Sequence, residues 1–223
     1  MFKNILVVAA HPDDEVLGCG GAIARHRQHG DRVRVIFIAD GVGARLANFE
    51  DSLKERKNSA YSALRALDVD SIEFFDFPDN QLDTIPLLSI IQKIESTVKE
   101  FNPEIVYTHH YGDLNIDHAL IAKACITACR PLPDSSVKTL LFFEVLSATH
   151  WGIAVENFKP NYYIDIKDFF DQKMSAIKCY VSEMRNYPHC RSVESIKSLC
   201  QHRGSQVGLD LAEAFETFRI LVK

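Results

Sequence analysis

The stretch Asn4-Ile5-Leu6-Val7-Val8-Ala9-Ala10, followed by His11-Pro12-Asp13-Asp14-Glu15, decides the fold. An aliphatic, β-branched run without a polar break is the pattern of a strand covered on both faces, and Pro12 ends it, having no N–H to donate to a ladder. Residue 11, ahead of a proline, is kept out of the helical region. Asp13, Asp14 and Glu15 then fall in the first turn of a helix, where the positive end of the dipole favours carboxylates. Val16, Leu17, Ile23 and Ala24 continue on a helical period. A histidine and two aspartates thus crowd the carboxyl end of a buried strand, the edge where open α/β sheets place ligands. His11 and Asp14, three apart across the bend, can both turn to one ion, with Asp13 beside it as a free base. Capping of the helix by Asp13 or Asp14, with His11 as hydrogen-bond partner, fits the tetrapeptide equally well.

The 223 residues are enough for one sizeable core. Hydrophobic residues make up 47% and charged residues 25%, as in an ordinary soluble globular protein. A formal charge of -5, without clustered Lys and Arg, argues against a nucleic-acid partner. No apolar run approaches the ~20 residues of a transmembrane helix, and the first residues enter a strand instead of a basic leader, so a cytoplasmic location is expected. The six cysteines form no CxxC pair and read as reduced structural thiols.

Strands and helices alternate along the first 130 residues. Strands are expected at Arg32–Ala39, Ser71–Phe77 and Glu104–Thr108, and helices at Phe49–Leu67, Leu87–Phe101 and Ala119–Cys129. Pro86 is expected as the first residue of its helix. The alternation predicts an α/β fold: a Rossmann-like three-layer sandwich with a mostly parallel central sheet and right-handed crossovers. Asp40, ending the second strand, is where a dinucleotide site would hold its ribose, but the first turn lacks G-x-G-x-x-G. His26 and His29, among Arg25, Arg27, Gln28 and Asp31, read as a solvated face. Further on, strands are expected at Val137–Leu146 and Asn161–Ile166 and a helix at Asp168–Arg185, with Trp151 in ordinary packing.

A second concentration of chemistry follows the fourth strand, His109-His110-Tyr111-Gly112-Asp113-Leu114-Asn115-Ile116-Asp117-His118. Neighbouring strands lie less than about 5 Å apart, so two such loops can converge. Two histidines and a carboxylate, leaving a position for water, form the ligand set of a hydrolytic zinc site. Asp117 either orients a ligand imidazole or caps the helix.

His11-Pro12-Asp13-Asp14-Glu15 with Gly18, Gly20 and Gly21 behind it, and Asn115-Ile116-Asp117-His118 about a hundred residues later, resemble the LmbE-like or PIG-L zinc N-deacetylases. The resemblance covers residues 1 to about 130 well, then runs more loosely through Glu144 and Arg203-Gly204-Ser205 to Ala212-Glu213-Ala214-Phe215. It implies a single domain over 1–223, with both ligand loops in 1–130 and the cleft completed by 131–223. It further implies one Zn2+ per chain, or another divalent ion, on His11, Asp14 and His118. Asp13 would be the base that activates water, and Arg56 would hold substrate. The implied substrate is a small N-acetylglucosamine-type amino-sugar conjugate that releases acetate; the implied assembly is a homo-oligomer, trimer or hexamer. Relatives commonly carry a histidine where this chain has Asn115, and some a tyrosine where it has Asp113. The general acid is therefore open among His110, His109 and Asp113. The competing expectation is a nucleotide-binding or regulatory α/β module with a vestigial metal site.

Overall fold

The computed structural model describes residues 2–44, 49–152 and 157–222. Its centre is β1, Asn4–Ala9, flanked by β2 (Arg32–Ala39) and β4 (Ile105–His109). With β3 (Ser71–Phe77), β5 (Thr139–Phe143), β6 (Tyr162–Asp165) and β7 (Ala212–Ile220), these form a seven-stranded sheet of order β3-β2-β1-β4-β5-β7-β6. The first five strands are mutually parallel, whereas β7 runs antiparallel to both β5 and β6.

Two-residue alternation divides β1 between two cores. Ile5, Val7 and Ala9 face α1 (Asp14–Gln28), α2 (Phe49–Ala66), α5 (Phe170–Ile177) and α6 (Val193–Ser205), while Leu6, Val8 and Ala10 face α3 (Leu87–Phe101) and α4 (Ile116–Ala128). The helix that follows β1 lies on one face and the helix that follows β4 on the other. The crevice past the carboxyl ends of β1 and β4 is therefore a topological switch point. Register makes it narrow, since Val8 lies opposite Thr108 and brings Ala10 and His11 beside His109.

α1 is broken at Cys19 (φ -145°, ψ 24°). The N–H groups freed there, on Gly21 and Ala22, donate to Glu213 of β7 at 2.8 and 2.7 Å. Lys173 of α5 donates to the same carboxylate at 2.5 Å and to the carbonyl of Leu17 at 2.9 Å. Close packing explains the glycines, because a Cβ on Gly18 would stand 2.3 Å from the Phe143 ring and one on Gly21 2.7 Å from Ile166.

The C-terminal third departs from the sequence expectations. The helix expected at Asp168–Arg185 is a 3-10 turn over Lys167–Phe169 followed by α5, which stops at Ile177. Tertiary contacts win there: Tyr180 is fully buried with its hydroxyl on Glu15 at 2.6 Å, and turns close at Tyr180 and Glu183. The strands near 137–146 and 161–166 are shorter than expected, and Pro86 caps α3 instead of opening it. His26 is half-buried between the Tyr107 hydroxyl (2.9 Å) and Asp31 (2.7 Å), not on a solvated face. Trp151 is 58% exposed: its 3-10 turn is anchored through Thr149, which leaves the indole outside. None of the six cysteines is in a disulfide. Among the described residues, no helix is long and apolar enough to cross a membrane.

Candidate metal centre and its surroundings

Three side chains from the two ligand loops converge in the crevice. Asp14, in the first turn of α1, receives His11 Nδ1 and His118 Nε2 on the same oxygen, Oδ2, each at 3.3 Å. All three residues are buried. His11 comes from the end of β1 and His118 from the first turn of α4, so the β1–β4 register sets their meeting.

Each imidazole is also held from behind by carboxylates. His11 Nε2 lies 3.1 Å from Asp117 Oδ2 and 3.0 Å from Asp79 Oδ1; His118 Nδ1 lies 3.2 Å from Asp113 Oδ2. A proton on those rear nitrogens leaves the front lone pairs facing Asp14, the usual arrangement behind a metal-ligating histidine. The rear carboxylates are themselves fixed. Asp117 accepts the N–H groups of Asn80 (2.7 Å) and Leu82 (3.1 Å), and Asp113 accepts the Thr149 hydroxyl at 2.6 Å. Two imidazole nitrogens and one carboxylate oxygen suit a borderline divalent ion such as zinc.

Electrostatics agrees with this division. Burial opposes ionisation of Asp14, but His118 and His109 outweigh it and hold its pKa well below the usual range. Burial likewise opposes a charged His118, yet Asp14 and Asp113 raise its pKa to about 9. Asp14 and the protonated imidazole thus attract one another strongly, and a divalent ion seated there would displace the front proton and meet the lone pair.

Asp13 stands apart from the ligand set. Its backbone has φ 128°, a conformation L residues rarely adopt, and its N–H donates to Glu15 at 2.9 Å. Burial pushes the Glu15 carboxyl up to about 8, against the hydrogen bond from Tyr180. Asp13 Oδ2 accepts Arg191 Nη1 at 2.7 Å and has Arg56 Nη1 at 3.6 Å. Burial raises the Asp13 pKa, opposed by these two arginines. Asp13 makes no side-chain cap, so it bends the chain instead of terminating the helix.

The other sequence-selected residues are placed as follows. Asn115 is the N-cap of α4, accepting the Asp117 N–H at 2.9 Å; Asp117 is not the cap, and it supports His11, not its neighbour His118. His109 accepts the Ala10 N–H on Nε2 at 2.8 Å, which removes that lone pair from ligand duty, and stacks on His118 at 3.9 Å. His110 packs against Tyr111, Phe142 and Phe158 with Nε2 facing Glu216 at 3.4 Å, and is not among the residues that converge on Asp14. Arg56 donates to the carbonyls of Pro12 and Gly41 and pairs with Glu183 at 2.8 Å. Asp40 folds back on the N–H groups of Val42 and Gly43, so its carboxylate is engaged within its own loop.

Sequence reading assigned no role to four residues now seen at the site: Asp79, Tyr180, Glu183 and Arg191. Asp79 had a signal, since the Pro78-Asp79-Asn80 turn ends a parallel strand on the ligand edge. Tyr180 and Glu183 fall in the stretch expected as helix, which α5 leaves at Ile177, and Arg191 lies in an irregular segment.

Fold and site together define an α/β protein with a buried His–Asp–His cluster, suited to a divalent metal, at the switch point of a mostly parallel sheet. Residues 6–129 match the family model described as PIG-L: GlcNAc-PI de-N-acetylase, and the chain belongs to that family. It is 30% identical over 186 residues to the uncharacterized deacetylase YaiS of Escherichia coli (strain K12), covering 81% of this chain and 91% of that one. It is 27% identical over 199 residues to a 4-oxalmesaconate hydratase of Pseudomonas putida, covering 81% of this chain and 74% of the hydratase. Among solved structures, the N,N'-diacetylchitobiose deacetylase of Pyrococcus horikoshii superposes with a TM-score of 0.80 at 20% identity, over 97% of this chain and 84% of that one, which shows the shared fold.

Proposed function

We propose that the protein is a zinc-dependent N-deacetylase that removes the acetyl group from an N-acetylglucosamine-type conjugate. The observation that carries this reading is the convergence of His11 Nδ1 and His118 Nε2 on Asp14 Oδ2, with Asp13 adjacent but outside that set. The family's description supplies the substrate class. When bound, a divalent ion lowers the pKa of its water from 15.7 towards about 7 and polarises a carbonyl.

The chain's residues supply the rest. Asp13 accepts the proton of the attacking water and returns it to the departing nitrogen; such transfer contributes roughly 10²- to 10⁴-fold. Asp117 and Asp113 hold the two imidazoles in the productive tautomer. The reading treats residues 1–223 as one functional unit, in which 131–223 complete the cleft through Glu183 and Arg191.

A second reading, hydration of an unsaturated acid, is favoured by the hydratase relative and by Asn115, which offers no acidic proton for a leaving amine. The test is metal analysis of the purified protein followed by acetate release from a panel of N-acetylhexosamine conjugates, with hydration of 4-oxalmesaconate as the competing assay. Stoichiometric zinc with acetate release supports the first reading, and hydration without acetate release supports the second. Asp13→Ala is expected to keep zinc and lose roughly 10²- to 10⁴-fold in turnover. Near-normal turnover in that variant would remove Asp13 from the mechanism.

A further inference from the structure

Amide hydrolysis places negative charge on the acetyl oxygen, and neither Asn115 nor Asp113 is placed to meet it. Asn115 stands in for a histidine, and both ends of its amide are engaged: Oδ1 accepts the Asp117 N–H, while Nδ2 donates to Asn80 Oδ1 at 3.1 Å. Asp113 is turned to His118 and Thr149. The cavity beside Asp13, about 160 Å³, has two guanidinium groups in its wall, Arg56 and Arg191.

The two are not equivalent. Arg56 is 5% exposed along its side chain, with Nη1 on the carbonyl of Pro12 and Nη2 shared by the carbonyl of Gly41 and Glu183. It is locked as a clamp between loops. Arg191 is 20% exposed, with Nε donating to Ser147 Oγ at 2.8 Å and Nη1 to Asp13 Oδ2 at 2.7 Å and Glu183 Oε2 at 3.3 Å. Its Nη2 has no hydrogen bond among the described residues. Asp13 Oδ1 likewise has none among them. Three bonds through Nε and Nη1 orient this guanidinium in the wall of the cavity that Asp13 also lines, and Nη2 is left for a further acceptor.

We infer that Arg191 is the oxyanion-stabilising catalytic residue of this chain, meeting through Nη2 the charge that develops on the acetyl oxygen. The inference rests on the deacetylase reading. Water oxygen bonds to the acetyl carbon, the carbonyl π pair moves onto oxygen opposite Arg191, and the water proton passes to Asp13 Oδ1. The pair then returns, the C–N bond breaks, and Asp13 gives the proton to nitrogen, leaving the free amine and acetic acid, which loses its remaining proton to solvent as acetate. An arginine suits the task because it stays protonated throughout and offers a planar fork. A fixed donor at such an oxygen is worth roughly 10²- to 10³-fold in turnover.

The test compares wild type, Arg191→Ala and Arg191→Lys as zinc-loaded full-length proteins. Readouts are metal content, kcat and KM for acetate release, rescue by millimolar guanidinium, and the affinity of methylphosphonate, a tetrahedral anion that needs no turnover. Arg191→Ala should keep stoichiometric zinc, lose roughly 10²- to 10³-fold in kcat with little change in KM, regain activity with guanidinium, and bind methylphosphonate more weakly by a similar factor. Arg191→Lys should fall between the two and carries the test if the alanine variant does not fold. Unchanged methylphosphonate affinity, or a kcat loss that guanidinium leaves untouched, overturns the inference. If wild type releases no acetate yet loses methylphosphonate binding on substitution, the deacetylase reading falls and Arg191 stands as the anion contact; if neither occurs, both fall.

Discussion

Helix α1 carries two buried ionic clusters that differ in how they are closed. In its middle, Glu213 accepts two backbone N–H groups and the ammonium of Lys173, so its charge is met by three hydrogen-bond donors. At its head, Asp14 meets the backbone N–H of His11 and two imidazoles whose far nitrogens are already held by carboxylates. The first cluster is complete as it stands and mends a broken helix. The second presents lone pairs and an anion to one point, which is the signature of a ligand set. Burial and charge alone would rank the two as equals; the direction of the lone pairs separates them.

Substitutions should therefore act on different observables. The largest effect is expected from His118→Ala, which should abolish stoichiometric metal binding and acetate release while the urea unfolding midpoint of the metal-free protein stays near that of metal-free wild type. A collapse of the metal-free fold would place the head cluster in the same structural class as the middle one. Glu213→Ala should do the reverse. It leaves the buried Lys173 ammonium without its counter-charge, only the Leu17 carbonyl remaining, and should cost about 3–5 kcal/mol in denaturant-measured stability, with full metal content in the folded fraction. Asp117→Asn keeps the shape but weakens support of His11, so metal affinity in a chelator competition should drop by about 10- to 100-fold.

The smallest effect belongs to a third buried carboxylate, Glu144, bonded to Nε and Nη2 of Arg203 (2.7 and 2.6 Å) and to His150 (2.6 Å). Burial alone would raise its pKa, but the bonds from His150 and Arg203 prevail and hold it below the ordinary value. A carboxyl lowered in the folded state stabilises above its unfolded pKa of about 4.3 and loses that contribution as pH falls through the folded value. Glu144→Gln should accordingly cost about 2 kcal/mol near neutrality, and the gap to wild type should narrow in acid, read from urea midpoints at the two pH values. A gap that widens in acid would reverse the assigned sign.

Much of the head cluster was legible in the residues themselves. An uninterrupted aliphatic strand followed by Pro12, and a second His- and Asp-rich loop three strand-helix alternations later, are local signals. The edge rule for parallel sheets puts both loops at one place. Asn115 as cap, Asp117 behind His11 and the exposure of Trp151 were not legible, because each depends on which neighbour a side chain meets across the fold. Arg191 lies 178 residues from the Asp13 it binds, in a segment with neither helical nor strand period.

By itself, then, the sequence determined the alternating α/β layout and the two His- and Asp-rich loops that share one edge of the sheet, since hydrophobic period, proline and charge act within a few residues. Tertiary structure decided the rest: that β7 enters the sheet antiparallel, that Glu213 and Lys173 repair α1, and that Arg191 reaches Asp13. These follow from long-range packing and from the need of buried charges to find partners, whose positions no local pattern encodes.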